Sequence, residues 1–250
     1  MEWFGLTDKG RVRPTNQDIY QIEAREENKT ALLVVCDGMG GARGGREASR
    51  GACDVIERCF QEQYGRCAPG GEEQFLTQAL ENANHYIFQK SARDEALAGM
   101  GTTVVCALVR DGRAYICHAG DSRAYLYHGG RLHQLTHDHS YVQELVDCGT
   151  ITPEEAEHHP QKNIITRALG VDYRLGPDCT SVVVVKGDML LLCSDGLTNA
   201  LPLERIEKIL ARAPFYDLPD HLIEAANAAG GPDNITALLL GMEPEEARHG

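Results

Sequence analysis

Several apolar runs in this chain end on an aspartate followed by glycine or a turn residue. Ala31-Leu-Leu-Val-Val-Cys36 runs into Asp37-Gly38-Met39-Gly40-Gly41, Met189-Leu-Leu-Leu-Cys-Ser194 into Asp195-Gly196, and Tyr115-Ile-Cys-His-Ala-Gly120 into Asp121. Asp233 stands just ahead of the apolar run that begins at Ile235. Strands that finish this way deliver carboxylates to a rim. Several oxygens at short range suit a hard divalent cation such as Mg or Mn, which in turn offsets their mutual repulsion. A single Asp-Gly is an ordinary turn. Its repetition at separated places is what points to one shared acidic site.

Other residues bear on the same chemistry. Gly38, Gly40, Gly41, Gly44 and Gly45 form a stretch where backbone can approach a ligand closely. The Gly-Lys-Ser/Thr of a phosphate-cradling loop is absent, so the glycines either let a carbonyl reach a metal or make a flexible turn into a helix at Glu47. Arg13, in Arg13-Pro-Thr-Asn-Gln-Asp18, would grip phosphate oxygens in a bidentate way if it lay near the acidic cluster; alone it reads as a solvated charge. Cys117-His-Ala-Gly-Asp-Ser-Arg123 fits the Cys-x5-Arg pattern of thiolate phosphatases. That chemistry needs the loop to open into a helix. Here Arg123 leads into a strand and hairpin, and Asp121 would put a negative charge in the cradle. His137, His139, His158 and His159 lack a spacing that demands zinc.

A chain of 250 residues with no linker-like stretch is expected to be one domain, residues 1–250, with a sizeable core. Its net charge of −13 opposes binding to nucleic acid or to anionic membrane. Neither an apolar leader nor a run of membrane-spanning length is present, so a cytoplasmic location is expected. The nine cysteines are irregularly spaced and suggest neither a disulfide framework nor a zinc cluster. They read as small core residues.

The positioning elements follow from pattern. Strands are expected over 3–8, 18–23, 30–37, 102–109, 113–118, 122–127, 131–136, 180–185, 189–193 and 235–240, with hairpin turns at Asp111-Gly112 and Gly129-Gly130. Helical spacing joins Ala48, Ala52, Val55, Ile56, Cys59 and Phe60, and then Leu76, Ala79, Leu80, Ala83 and Ile87. Two further helices are expected over 203–213 and 218–229. Ser140-Tyr-Val-Gln143 and Thr152-Pro-Glu-Glu155 read as capping boxes opening a short helical insert that runs to about Gly170. Val182–Val185 and Leu190–Cys193 are apolar on successive residues, which predicts strands covered on both faces. Antiparallel hairpins with paired helices make the fold class α+β, satisfied by two sheets face to face with helices outside.

Taken in order, Arg13-Pro-Thr-Asn-Gln-Asp18, Val35-Cys-Asp-Gly-Met-Gly-Gly41, Gly101-Thr-Thr103, Ala119-Gly-Asp-Ser-Arg123, Asp138-His-Ser140, Thr166-Arg-Ala-Leu-Gly170, Ser194-Asp-Gly-Leu-Thr198 and Asp233-Asn-Ile-Thr236 span nearly the whole chain. The set resembles the metal-dependent protein phosphatase family, protein phosphatase 2C-like, and specifically its small bacterial members. The resemblance implies a four-layer α-β-β-α sandwich with a flap insert over about 141–170. It implies Asp37 bridging two Mn or Mg ions, the Gly38 carbonyl on one of them, Asp195 and Asp233 on the other, and Asp18 acting through metal-bound water. It further implies Arg13 on the substrate phosphate, a third and weaker metal site from Asp121 with Asp195, and Asn234 in support.

The implied reaction is hydrolysis of phosphoserine and phosphothreonine by metal-activated water, without a phosphoenzyme. Phosphoprotein substrates, a cognate serine/threonine kinase among them, and a monomeric state are implied as well. Two positions depart from many eukaryotic relatives and a third from some relatives. Met39 replaces a histidine proposed as general acid, leaving a metal-bound water for that role; Gln17 replaces glutamate; and Asn199 replaces a carboxylate of the third metal site. The competing readings are a cysteine-dependent phosphatase built on Cys117 and Arg123, and a catalytically silent phosphoprotein-binding module.

Overall fold

The structure is a computed structural model that describes residues 1–25 and 29–242. Its strands are β1 (Glu2–Asp8), β2 (Asp18–Arg25), β3 (Thr30–Met39), β4 (Gly101–Thr102), β5 (Val104–Arg110), β6 (Arg113–Ala119), β7 (Arg123–His128), β8 (Arg131–Gln134), β9 (Asp178–Val183), β10 (Met189–Cys193) and β11 (Ile235–Gly241). Its helices are α1 (Gly41–Gln63), α2 (Glu72–Arg93), α3 (Tyr141–Asp147), α4 (Pro153–Glu157), α5 (Asp195–Ala200), α6 (Leu203–Leu210) and α7 (Leu218–Ala228). One sheet runs β1-β11-β10-β7-β8 and the other β2-β3-β5-β6-β9, with β4 paired to the end of β3. Every pairing is antiparallel.

The layers come from the period of two along each strand. In β3, Ala31, Leu33 and Val35 face the other sheet, meeting Leu190, Leu192, Leu238 and Leu240. Leu32, Val34 and Cys36 face the other way, onto Ile56, Phe60, Leu80 and Ile87 of α1 and α2. On the far side, Leu191, Cys193 and Leu239 pack under Leu197, Ile206 and Leu222 of α5–α7. Burying such a leucine or isoleucine contributes roughly 1.5–3 kcal/mol, so three apolar layers hold the two sheets rigidly. The expected four-layer α+β sandwich is what forms. Both glycine turns close hairpins with positive φ at each central residue: 49° and 73° at Asp111 and Gly112, 57° and 84° at Gly129 and Gly130.

Some expectations are corrected. Val182–Val185 is not a doubly covered strand: β9 ends at Val183, lies at a sheet edge, and leaves Val183 and Val185 exposed, whereas Leu190–Cys193 is covered on both faces. The glycines before Glu47 are not a loop, because α1 already begins at Gly41 and includes Gly44 and Gly45. Asp195 opens a helix, α5, that its Asp-Gly sequence concealed. The Thr152 capping box forms completely, while at Ser140 only the hydroxyl half does, Gln143 turning its amide to Asp147 instead. Two cysteines without any spacing signal, Cys117 and Cys179, are directly opposed in the β6–β9 register and form a disulfide. The sequence separation of 62 residues is why no local pattern announces it.

Candidate active site

At one end of the sandwich β3, β7, β10 and β11 all begin or finish, and the aspartates gather there. The main chain of Asp37 is clamped by both threonines of Gly101-Thr-Thr103. Thr103 donates its N–H to the Asp37 carbonyl at 2.9 Å and accepts the Asp37 N–H on Oγ1 at 3.1 Å, and the Thr102 hydroxyl donates to the same carbonyl at 2.9 Å. The Thr103 hydroxyl also pairs with that of Ser122 at 2.7 Å, tying Asp37 to the turn that carries Asp121. A side chain at Gly38 would collide with the Gly45 carbonyl. Glycine here lets the first turns of α1 rest on the strand end.

Asn234 organises the loop between β1 and β2. Its side-chain oxygen accepts the Gln17 N–H at 2.8 Å, and its amide donates to the carbonyls of Lys9 and Thr15, each at 2.9 Å. That loop presents Arg13, whose guanidinium donates to Asp233 at 2.6 Å. Gln17 donates its side-chain amide to the Gly41 carbonyl at 2.6 Å, so at this position it braces the start of α1. Asp195 receives the Asn199 amide at 2.9 Å, one turn on in α5. Gly196 lets that helix press on the Asn234 backbone, where any Cβ would clash.

A cleft of about 340 Å³ opens over this floor. Asp37, Gly38, Asp121, Asp195, Asp233 and Asn234 line it together with Arg13 and Met39. Asp18 lies behind them, 2 % exposed, with one carboxylate oxygen held by the hydroxyls of Ser194 and Thr236, both at 2.7 Å. All eight residues singled out in the sequence therefore meet at one end of the molecule. Asn163 and Ile165, from the insert, also face the cleft. Nothing in their types distinguished them from other loop residues.

His139, in Asp138-His-Ser140, takes a role its sequence pattern did not disclose. His139 accepts the Gly120 N–H on Nδ1 at 3.1 Å and returns its own backbone N–H to the Gly120 carbonyl at 3.0 Å, pinning the residue before Asp121. Its Nε2 lies 3.1 Å from Asp178, and burial lowers its pKa below the usual histidine value. The adjacent Asp138 takes Nε and Nη2 of Arg123 at 2.9 and 2.6 Å. Cys117, beneath them, is fully buried in β6 and bonded to Cys179. It has no thiolate to offer and no helix to stabilise one.

The electrostatics of the floor are strained in one direction. Burial first, then the neighbouring carboxylates, push Asp37 well above the ordinary aspartate value. Asp18 is raised to about 7 by burial, against the pull of its two hydroxyl donors. Asp121 rises to about 8, through burial and then the charge of Asp195. Asp195 rises to about 6, through burial and then the charge of Asp233. One oxygen each of Asp18, Asp121 and Asp195 is buried without a hydrogen-bond partner. Buried polar atoms are ordinarily satisfied, so these unpartnered carboxylate oxygens, with Arg13 the one cation among the described residues lining the cleft, fit hard divalent cations. Among the described residues no three side chains alone enclose an ion.

Comparison with known proteins points the same way. A family model described as Protein phosphatase 2C matches residues 11–239. The chain is 42% identical over 248 residues to the protein phosphatase PhpP of Streptococcus pneumoniae, covering 99% of this chain and 100% of that one. It is 40% identical over 235 residues to the serine/threonine phosphatase stp of Listeria monocytogenes, covering 94% and 93%. The S. agalactiae serine/threonine phosphatase structure superimposes with a TM-score of 0.91 at 35% identity, covering 97% and 99%. The catalytic domain of the serine threonine protein phosphatase PstP, solved with 2 manganese ions, gives 0.83 at 35% identity, covering 95% and 96%.

Proposed function

The chain belongs to the protein phosphatase 2C family, whose members are metal-dependent, and from that premise we propose that it removes phosphate from phosphoserine and phosphothreonine in proteins. The observation that carries the proposal is the floor of buried, uncompensated aspartate oxygens beneath a cleft that also holds Arg13. Asp37 would hold two Mn or Mg ions, with the Gly38 carbonyl on one and Asp195 and Asp233 on the other. Asp18 would act on them through water, and Asp121 with Asp195 would make a third, weaker site. Asn199, an amide where a carboxylate could stand, adds no charge there.

When bound, such ions supply a water acidic enough to ionise near neutral pH and positive charge against the phosphoryl oxygens. The protein's share is placement. Arg13 is half-exposed and bonded through a single nitrogen to Asp233, leaving further N–H donors for a phosphate. Asn234 fixes the loop that carries it. Met39 has no proton to give the leaving alkoxide, so we assign that proton to water in the cleft.

The substrates we propose are phosphoproteins of a cognate serine/threonine kinase, met in the cytoplasm by a single-domain, monomeric enzyme. No described helix is long and apolar enough to cross a membrane.

The test is hydrolysis of a phosphothreonine peptide with Mn, with chelator, and by the Asp37→Asn and Cys117→Ser proteins. Turnover that needs Mn, is lost in Asp37→Asn and survives Cys117→Ser is the expected outcome. Turnover that survives chelation and Asp37→Asn but not Cys117→Ser would overturn the proposal. Phosphopeptide binding with no turnover under any condition would mark a silent module instead.

A further inference from the structure

On the outer face of the helical layer, α6 and α7 leave a groove of about 570 Å³ between them. Each helix contributes a stripe at helical spacing: Arg205, Lys208 and Ile209 continuing to Arg212 in the turn that follows, and His221, Glu224, Ala225 and Ala228 opposite. Ile209, Ala213 and Ala225 are half-buried and form an apolar floor, while the three cations stand exposed along one wall. The chain has 37 acidic against 24 basic residues, so cations on its surface are readily paired. On this same helix Glu207 reaches across to Arg131. Yet Arg205, Lys208 and Arg212 have no ion pair or side-chain hydrogen bond among the described residues. The groove holds a single acid, Glu224.

One end of α7 lies beside the loop that carries Arg13. The residues leading into α7 lie at the far end of the sheet, where Phe215 sits against Gly241. The helix then runs toward the acidic end, where Asn227 donates to Asp8 at 3.0 Å and the Gly231 carbonyl takes the Arg11 N–H at 2.8 Å. Ala228 lies five residues before Asp233, and α6 is reached through α5, which Asp195 opens. A chain leaving the cleft beside Arg13 toward this layer would pass Arg11 and the end of α7.

Resting on the phosphatase reading above, we propose that this groove docks an acidic, partly apolar segment of the protein substrate, remote from its phosphorylated residue. Three unpaired cations over an apolar floor match alternating Glu or Asp with Leu-like side chains. At about 1.5 Å per residue, α7 offers a track for roughly five extended residues. A bilayer is a poor occupant, because the net charge of −13 repels an anionic surface and the floor offers no large side chain to insert.

The test compares a short phosphothreonine peptide, the same peptide extended on either side by a Glu/Leu segment, and p-nitrophenyl phosphate. Each is assayed with the wild type and with Arg205→Glu/Lys208→Glu/Arg212→Glu. One of the extensions lowers KM by about tenfold in the wild type. The triple variant loses that gain and keeps its turnover of p-nitrophenyl phosphate and of the short peptide. Arg205→Gln/Lys208→Gln/Arg212→Gln, which introduces no new charge, loses most of it too. The proposal is overturned if neither extension lowers KM, if the gain survives charge reversal, or if the cations instead govern sedimentation with phosphatidylserine vesicles. Failure of the phosphatase reading is seen separately, as absent turnover of the short peptide and of p-nitrophenyl phosphate.

Discussion

Asp18 and Asp37 stand directly opposite one another in the antiparallel register of β2 and β3. Like charges so placed destabilise a sheet, and burial at the acidic end raises both carboxyls above the unfolded value near 3.8. Raised carboxyls make the folded state bind more protons than the unfolded chain. Their contribution to stability is therefore fully present below about pH 4 and is lost as pH climbs through the values near 6, 7 and 8 of Asp195, Asp18 and Asp121. Stripped of metal, the protein should lose urea resistance steadily between pH 5 and pH 8. Mn should restore more at pH 8 than at pH 5, where protons compete with it. Urea midpoints in chelator and in Mn at the two pH values check this; a chelated midpoint that rises with pH would contradict it.

The same repulsion sets two properties of one variant against each other. Asp37→Asn keeps the shape, which the Thr102 and Thr103 clamps fix through the main chain, and removes one negative charge from the crowd. At pH 8 in chelator it should be more stable than the wild type, because a neutral amide avoids the cost of burying a carboxylate among like charges. Its Mn-dependent turnover should fall to background. A calorimetric scan beside a phosphopeptide assay reads both.

How far the site could be read beforehand depended on the kind of residue. Asp37 and Asp195 announce themselves because a strand must finish on a turn, visible as apolar residues giving way to Asp and then Gly, and Asp233 because the turn Gly231-Pro-Asp-Asn234 runs straight into the apolar start of β11. The layers were legible in the same local way, through alternation in β3 and continuous burial in β10. What was hidden depends on register and distance. Cys117 meets Cys179 only because β6 and β9 align across 62 residues. His139 becomes a clamp on Gly120 only once the chain folds back over β7. At Gly41–Gly45, α1 simply overrides poor helix propensity, since Gly38 and Gly45 must touch for the helix to reach the strand end.

Ser194, just past the end of β10, and Thr236 of the neighbouring β11 hold Asp18 of the other sheet. Ser194 also accepts the Thr236 N–H at 3.0 Å, so its hydroxyl serves two groups. Ser194→Ala should cost about 1–3 kcal/mol through the buried groups it leaves unbonded. Thr236→Val, which keeps the shape and leaves Ser194 in place, should cost less. Both should weaken Mn binding, because the carboxylate behind the cleft loses its orientation; Mn titration followed by thermal shift separates that from the stability loss.

Arg13 should act on substrate more than on the fold, since its guanidinium is half-exposed and its ion pair with Asp233 lies at the rim. Arg13→Ala should raise KM for phosphopeptides about tenfold or more while leaving the unfolding free energy within about 0.5 kcal/mol. Arg13→Lys should recover charge but not the two-point grip on phosphate, and so only part of the loss. Equal KM values for the three proteins would remove Arg13 from phosphate binding.

The disulfide gives the clearest separation between a structural cysteine and a reacting one. Cys117 is wholly buried in β6, and its bond ties that strand to the edge strand β9, which otherwise exposes much of its length. In the oxidised protein Cys117→Ser should cost about 2–4 kcal/mol. Reductant should lower the wild-type melting temperature toward that of the variant and leave the variant itself unmoved. Turnover per folded molecule, with Mn and at a temperature below both transitions, should be the same in all three states. In a reducing compartment the thiols would stay side by side by register alone, with the acidic end untouched. A folded, Mn-loaded Cys117→Ser protein without activity would instead return the chemistry to the thiol.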